Sequence, residues 1–408
     1  MRISIAGYRE GRMSATKDKP PREGFTTGSA VSAAAAAALA VLLSDERPSH
    51  LSIPLPPDEN GAVPEGRLAI PLDFCERIAE NGATLGYAGV IKDAGDDPDV
   101  TDGMLLTVHA ALDAAHFPPH LLKEGCVPLP LGSGITLHAG PGIGRATLPG
   151  LPVAVGEMAV NPAPRRQIAA ALKETASRLG YDGPIHCRLA ALGGESRAQR
   201  TLNPRLGVLG GISILGTRGT VKPFSADAWK TTIRRSLDLA AALGCDTVCL
   251  TTGRRSEAAM RMLFGELADQ AFIQVADHAG FALGEAAARG FSRILWGCFP
   301  GKLLKLAQGL AWTHAHDASP DFALFSRFCA EAGLPHPVCT EAARMPTVTG
   351  ALETVFAFSP DAYCEVIRII GKNALGAMRA MAAQKGSVTD IRLYVFDMQG
   401  NLLATVKD

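Results

Sequence analysis

The sequence predicts a mixed fold in two domains: an N-terminal α+β domain and a C-terminal doubly wound, Rossmann-like α/β domain. Three observations carry this. Residues 201–219 are apolar and β-branched in the middle and include Gly207, Gly210, Gly211, Gly216 and Gly219, which reads as one buried strand or two short ones. Ser225 is a good N-cap for a helix over about 226–243. Strand, glycine loop and helix form the opening unit of an open α/β domain, whose ligands lie beyond the carboxyl ends of the strands. From there to about residue 386 strand and helix alternate, whereas everything before residue 201 is patterned differently. The expected division is a flexible segment 1–21, an α+β domain 22–200, an α/β domain 201–386 and a β-hairpin 387–408.

The chain has 408 residues, enough for two domains with large cores. Lys+Arg and Asp+Glu balance at 40 each. A nucleic-acid binder usually shows a basic excess, so that class is not expected. An anionic ligand would require a local basic pocket. Nine cysteines are scattered without a C-x-x-C pair, which suits free, mostly buried thiols in a reducing cytoplasm. No signal peptide is visible at the N-terminus. The longest apolar run, 30–43, reads as a buried helix, too short to span a bilayer.

In chain order, Gly24-Phe25-Thr26-Thr27-Gly28-Ser29 precedes the alanine-rich run. A turn holding Thr26 and Thr27 at a helix start presents unpaired amides suited to an anion; taken alone, an ordinary cap explains it better. Short strand patterns separated by Pro/Gly turns then run from 50 to 108. Within them, five aspartates lie between Asp93 and Asp102. Asp96, Asp97 and Asp99 are suited to act as a base or to accept ligand N–H groups, and a solvated Asx-type turn is at least as good an account. The cluster lacks the closing glutamate of a calcium loop. Residues 140–151 contain G-x-G without the third glycine of a dinucleotide fingerprint. Asn161-Pro162 starts a helix to about 179, which sets Arg165 and Arg166 to meet carboxylates or phosphates. A strand follows over 181–189.

In the second half, strands are expected at 247–250, 272–276 and 293–297. Their exit loops carry Gly253 with Arg254 and Arg255, Gly280, and Pro300-Gly301-Lys302. Several helices run on to about 384, and 391–396 with 402–406 read as a closing hairpin around Gln399-Gly400. His314 and His316 are two apart and do not share a helix face, so no metal site is expected from them.

Together these stretches resemble one family, the cobalt-precorrin-5B C(1)-methyltransferases of the anaerobic cobalamin pathway. The resemblance rests on Gly24–Gly28 before the alanine helix, Lys92–Gly103, Gly142–Leu151 with Gly156-Glu157, and Asn161–Arg165. It continues through Thr201–Gly219, Thr252-Gly253-Arg254, Gly280–Leu283, Pro300-Gly301-Lys302 and Thr313-His314, covering nearly the whole chain in order. The chain departs from the family pattern at Ser29-Ala30-Val31, at Cys298-Phe299 and at Ala315, where relatives usually carry cysteine, histidine and serine.

The resemblance implies S-adenosylmethionine-dependent methylation of C(1) of cobalt-precorrin-5B to give cobalt-precorrin-6A. The cobalt arrives with the substrate, and no metal is held by the protein. The donor is expected at the second domain's exit loops, near Gly216, Thr217, Gly253 and Gly280. The acetate- and propionate-bearing ring is expected to meet Thr26, Thr27, Arg165, Arg205, Arg254 and Lys302. Asp96, Asp97 or Asp99 is the candidate base, its pKa raised by its neighbours, with His314 the next candidate. A cytoplasmic enzyme follows, with a cobalt-tetrapyrrole substrate, no nucleic acid, no membrane, and homo-oligomerisation left open. Two alternatives are an NADP-dependent oxidoreductase gripping a 2′-phosphate with Arg254 and Arg255, and a non-catalytic tetrapyrrole-binding paralogue.

Overall fold

The protein is described here from a computed structural model over residues 20–80, 82–117, 122–223, 225–315, 317–387 and 390–407. The segment 1–21, apart from Pro20 and Pro21, lies outside the described residues, as does His316. A short strand, β1 (Gly24–Phe25), leads into α1 (Thr27–Ser44). Thr26 caps the helix, its hydroxyl accepting the Ser29 amide at 3.2 Å. Alanine is the strongest helix former, and a helix apolar on every side belongs inside protein. Every residue from Thr27 to Val41 is buried. At 18 residues α1 is long and apolar enough to cross a bilayer by length and composition alone. That corrects the expectation that it is too short, while its reading as a buried helix stands.

Strands β2 (His50–Pro54) and β3 (Arg67–Pro71) form a hairpin beside α1. A mixed sheet follows, made of β4 (Phe74–Glu80), β5 (Ala83–Ile91), β6 (Leu105–Ala111), β7 (Leu129–Gly132), β8 (Ile135–Ala139) and, after β9 (Arg145–Ala146) and α2 (Pro162–Arg178), β10 (Ile185–Ala191). Its order is β4-β5-β6-β10-β8-β7, with only β10 and β8 parallel. α1 packs on β4, β5 and β6, and α2 packs on α1. The approach is close: a Cβ on Gly86 of β5 would stand 1.8 Å from the Ala38 carbonyl oxygen. Glycine below and alanine above let the helix backbone rest almost on the strand.

The stretch 201–219 belongs with this first core and does not open the second sheet. After α3 (Gly194–Ala198), β11 (Val208–Leu209) pairs antiparallel with β9. Ile212 and Ile214 bridge to Ile143 and Val160 and are buried in the same cluster as α1. Val208 therefore does not share a sheet with Val248, Ile273 and Ile294. The reason is local. Gly207, Gly210, Gly216 and Gly219 all have positive φ, which breaks the run into short extended pieces. At Gly211 a Cβ would lie 2.2 Å from the Gly142 carbonyl oxygen, so the chain is pressed against the 140–146 loop. A final short strand, β12 (Thr220–Val221), pairs with β1.

The second sheet follows α4 (Ala226–Ala242), which Ser225 caps as expected. Its strands are β13 (Thr247–Thr251), β14 (Phe272–Gln274) and β15 (Arg293–Cys298), joined through α5 (Arg254–Leu263) and α6 (Ala279–Ala288). The chain then runs through α7 (Pro300–Ala307), α8 (Phe322–Glu331), α9 (His336–Ala343), α10 (Val348–Phe358) and α11 (Pro360–Ala383) to β16 (Asp390–Phe396) and β17 (Leu402–Val406). The order is β14-β13-β15-β16-β17, parallel except for β17. The expected hairpin is thus the edge of this sheet. Alternate residues point to opposite faces: Cys249, Phe272 and Leu295 face Met260 of α5, while Val248, Ile294 and Trp296 face the larger core under α4, α6, α7 and α11. All nine cysteines are free thiols, five of them buried.

The α1–β5 contact yields a stability test. Gly86→Ala must push α1 off the sheet and is expected to cost about 2–3 kcal/mol. At the exposed Gly376 in α11 a Cβ meets nothing within 4 Å, so Gly376→Ala should stabilise by about 0.5–1 kcal/mol. Denaturant unfolding of the two variants checks both signs.

Candidate functional site

The first turn of α1 assembles the site. Three backbone segments converge on it. The Phe25 amide donates to the Asp93 carbonyl at 2.9 Å, and the Thr26 amide to Gly219 at 2.9 Å. The Thr27 hydroxyl accepts from the Leu215 amide at 2.9 Å and donates to its carbonyl at 3.1 Å. Ser29 Oγ donates to the Gly219 carbonyl at 2.8 Å and accepts from Gln167 at 3.1 Å. The hydroxyl at Ser29 is therefore a buried brace, and it lines neither chamber described next.

Two chambers open beside this turn. The narrower, about 270 Å³, is walled mainly by apolar residues of 151–153 and 201–215, with Lys92, Asp99 and Arg235 among its polar groups. The wider, about 720 Å³, lies between 215–222 and α4. Both are lined by Thr26, Asp99, Leu215, Val221, Thr232 and Arg235. α4 can form this wall because it is two-sided. Ile233, Leu237 and Ala240 enter the second core, while Ala228, Thr231, Thr232 and Arg235 face the chambers.

The aspartate loop holds its own shape. Asp93 accepts the Gly95 amide at 2.8 Å and pairs with Arg22. Asp102 accepts the Ala94 amide at 2.8 Å, and Asp96 the Arg22 amide at 2.7 Å. Asp99 Oδ2 meets the ammonium of Lys92 at 2.8 Å, and Oδ1 takes the Thr101 amide at 2.7 Å and hydroxyl at 2.8 Å. The Lys92 side chain is only 1% exposed. Burial alone would raise the Asp99 pKa, but Lys92 and the Thr101 hydrogen bonds outweigh it and hold the carboxyl below its ordinary value. The expectation of a raised pKa is corrected for Asp99: the residue stays ionised as the counter-charge of a buried lysine. Asp97 lines the wide chamber.

The other expected residues divide. Gly216 and Thr217 line the wide chamber with Thr26. Gly216 has φ +137, and a Cβ there would stand 2.4 Å from Thr26, so packing already demands glycine. Gly280 is likewise fixed by packing, 2.5 Å from Ala311. Arg165 is committed to Glu157 at 2.6 Å and to the Val160 carbonyl. Arg205 binds Glu257 at 3.1 Å and the Phe272 carbonyl at 2.6 Å, tying 201–219 to the second sheet. Gly253, Gly280 and Lys302 follow adjacent strands at one carboxyl edge of that sheet and line neither chamber. Lys302 pairs with Asp277 and donates to Thr313 at 3.0 Å. Arg254 is exposed at the first position of α5. His314 stacks on Trp312, centroids 5.7 Å apart, and lies 3.5 Å from Asp317. Cys298 is fully buried in the core, its thiol pushed up to about 12 by burial, so no thiolate chemistry arises there. Lys230 and Arg234 of α4, which line the wide chamber, sit over the Phe281 ring of α6 at 5.7 and 4.9 Å.

Sequence reasoning passed over Lys92, Lys230 and Arg235 as site residues. The available signal was the polar face of α4, residues 228, 231, 232 and 235, opposite an apolar stripe.

The buried pair gives a direct test. Asp99→Asn leaves the Lys92 ammonium buried without a counter-charge and should cost about 3 kcal/mol or more, and adding Lys92→Met should recover most of it. Because the folded-state pKa of Asp99 is lowered, its contribution is full above about pH 4 and fades as pH falls below that. The gap between wild type and Asp99→Asn should close in acid. Equal stabilities at pH 7 would refute the pairing.

Comparison with known proteins identifies the chain's relatives. A family model described as CbiD matches residues 14–223, and one described as the CbiD C-terminal domain matches 312–407. A Nitratidesulfovibrio vulgaris protein named cobalt-precorrin-5B C(1)-methyltransferase is 43% identical over 385 residues, 94% of this chain and 92% of that protein. Proteins of the same name from Burkholderia ambifaria and Geobacillus kaustophilus are 40% and 38% identical, each over 77% of this chain and covering 79% and 77% of the relatives. A crystal structure titled cobalamin biosynthesis protein (cbiD) from Archaeoglobus fulgidus is 26% identical, covers 71% of this chain and 81% of that one, and aligns with a TM-score of 0.35. On the sequence matches, this chain belongs to the CbiD family.

Proposed function

We propose that the protein methylates C(1) of cobalt-precorrin-5B, the reaction named for its relatives, using S-adenosylmethionine as donor. The observation that carries the site assignment is the pair of joined chambers, one apolar and one walled by cations. The wide chamber is lined by Arg218, Lys222, Lys230, Arg234 and Arg235. Arg218 is spent on Asp227 and Arg234 on Glu285. Lys222, Lys230 and Arg235 have no carboxylate partner among the described residues. These three cations, in a lining that also carries Glu23, Asp97, Asp99 and Asp227, are what the chamber offers to the carboxylates of an acidic macrocycle.

We further propose two domains, with the division near residue 223 rather than 200, the second being doubly wound and Rossmann-like. Two separate cores and the β14-β13-β15 order support this. That order places a topological switch point between β13 and β15. Gly253 and Gly301 flank it, and a Cβ at either would meet nothing within 4 Å. Neither glycine is required by internal packing, which suits close approach of the donor at this edge. S-adenosylmethionine supplies a methyl carbon made electrophilic by its sulfonium. The bond from C(1) to that carbon forms as the carbon–sulfur bond breaks, and the electron pair leaves on sulfur. The protein's part is to align the partners and exclude water. Lys92 and Asp99 fix the loop, and the reading assigns the removal of a ring proton to Asp97, which lines the wide chamber.

Incubation with both substrates should add one methyl group, located at C(1) by NMR. Asp97→Asn should lower transfer by about 100-fold with donor affinity retained. Gly253→Val should weaken donor binding at least about tenfold without loss of stability. Macrocycle binding without transfer would favour a non-catalytic carrier. Unchanged donor affinity in Gly253→Val would move the donor elsewhere.

A further inference from the structure

We infer that Arg235 selects the substrate by one peripheral carboxylate, gripping an acetate or propionate of the macrocycle where the wide chamber narrows. This rests on the methyl-transfer reading above. Arg235 lies on α4, two turns in from Ala228, on the face formed with Thr231 and Thr232. It is the only cation of α4 that lines both chambers. It is half-buried, and unlike Arg218 and Arg234 it has no hydrogen-bond, ion-pair or ring partner among the described residues.

A guanidinium removed from bulk water without a counter-charge is costly to the folded protein. A protein under selection for stability alone would pair it or replace it with an apolar residue. No carboxylate nearby is paired with it: Asp99 is taken by Lys92 and Thr101, Glu285 by Arg234, Arg289 and Lys385, and Asp227 by Arg218, while Glu23 and Asp97, which share the wide chamber, form no ion pair with Arg235. The matching anion must therefore come with the ligand. A planar five-donor fork suits a carboxylate bidentately, and a lysine ammonium does so less well. Its place at the junction also sets orientation. A ring edge held there is placed between the apolar chamber and the Asp97 side, so binding one carboxylate decides which pyrrole unit faces the donor.

The test uses the whole enzyme with cobalt-precorrin-5B and with the same macrocycle carrying neutral amides on its side chains. For Arg235→Gln the affinity for the carboxylate substrate should fall about 10- to 100-fold. Donor affinity should be unchanged and thermal stability equal or higher, because an unpaired, half-buried charge has been removed. The extra loss on amidation should be smaller in Arg235→Gln than in wild type, and Arg235→Lys should fall between them. Wild-type affinity in Arg235→Gln would overturn the inference, as would a parallel loss of stability and donor binding. Failure of the wild-type enzyme to bind the macrocycle would overturn this inference together with the functional reading. Wild-type binding with an indifferent Arg235→Gln would overturn this inference alone.

Discussion

The first turn of α1 is the constraint from which the site follows. A buried helix start leaves amides that water cannot satisfy. Here Thr26, Thr27 and Ser29 satisfy themselves and, in doing so, fasten Leu215, Gly219 and the Asp93 loop to one point. The alanine run behind that turn can be so deeply buried only because Gly86 yields its side-chain volume. Thus packing in the first core sets the position of 215–221, and 215–221 forms one wall of the wide chamber.

The opposite wall belongs to the second core. α4 is anchored by Ile233 and Leu237 beneath and presents a polar face above. The cleft is therefore the space between two hydrophobic cores, a setting where ligand sites are commonly found. Its electrostatics follow from bookkeeping among neighbours rather than from net charge, which is zero. Most arginines of the structure are matched internally, Arg165, Arg205 and Arg289 among them. Three of the cations without a carboxylate partner among the described residues, Lys222, Lys230 and Arg235, line the wide chamber.

Much of the fold was legible because local chemistry and final structure agree. Ser225 caps the helix it predicts, and the strands at 247–251, 293–298 and 390–396 lie where short apolar runs between helices put them. The stretch 201–219 was misassigned for a physical reason. Its isoleucines are strand-like, but its positive-φ glycines break the ladder, and the partner that buries Ile212 and Ile214 is some 50 to 70 residues earlier in the chain, at Ile143 and Val160. Periodicity reports that a residue is buried and not against what. The site was legible in its motifs and less so in its roles. Asp99 looked like a base and serves as the counter-ion of Lys92. Arg165 and Arg205 looked available and are engaged internally. Arg235 was passed over, because nothing in the sequence shows that the polar face of α4 lines a chamber.

The central claim is that the macrocycle lies between the aspartate loop and α4. Amide hydrogen exchange with and without cobalt-precorrin-5B tests it most directly. The account predicts slowed exchange in 93–101, 215–221 and the first half of α4, with the outer helices α8 to α10 unchanged. Protection confined to the carboxyl edge of the second sheet, with the aspartate loop and α4 unaffected, would contradict it.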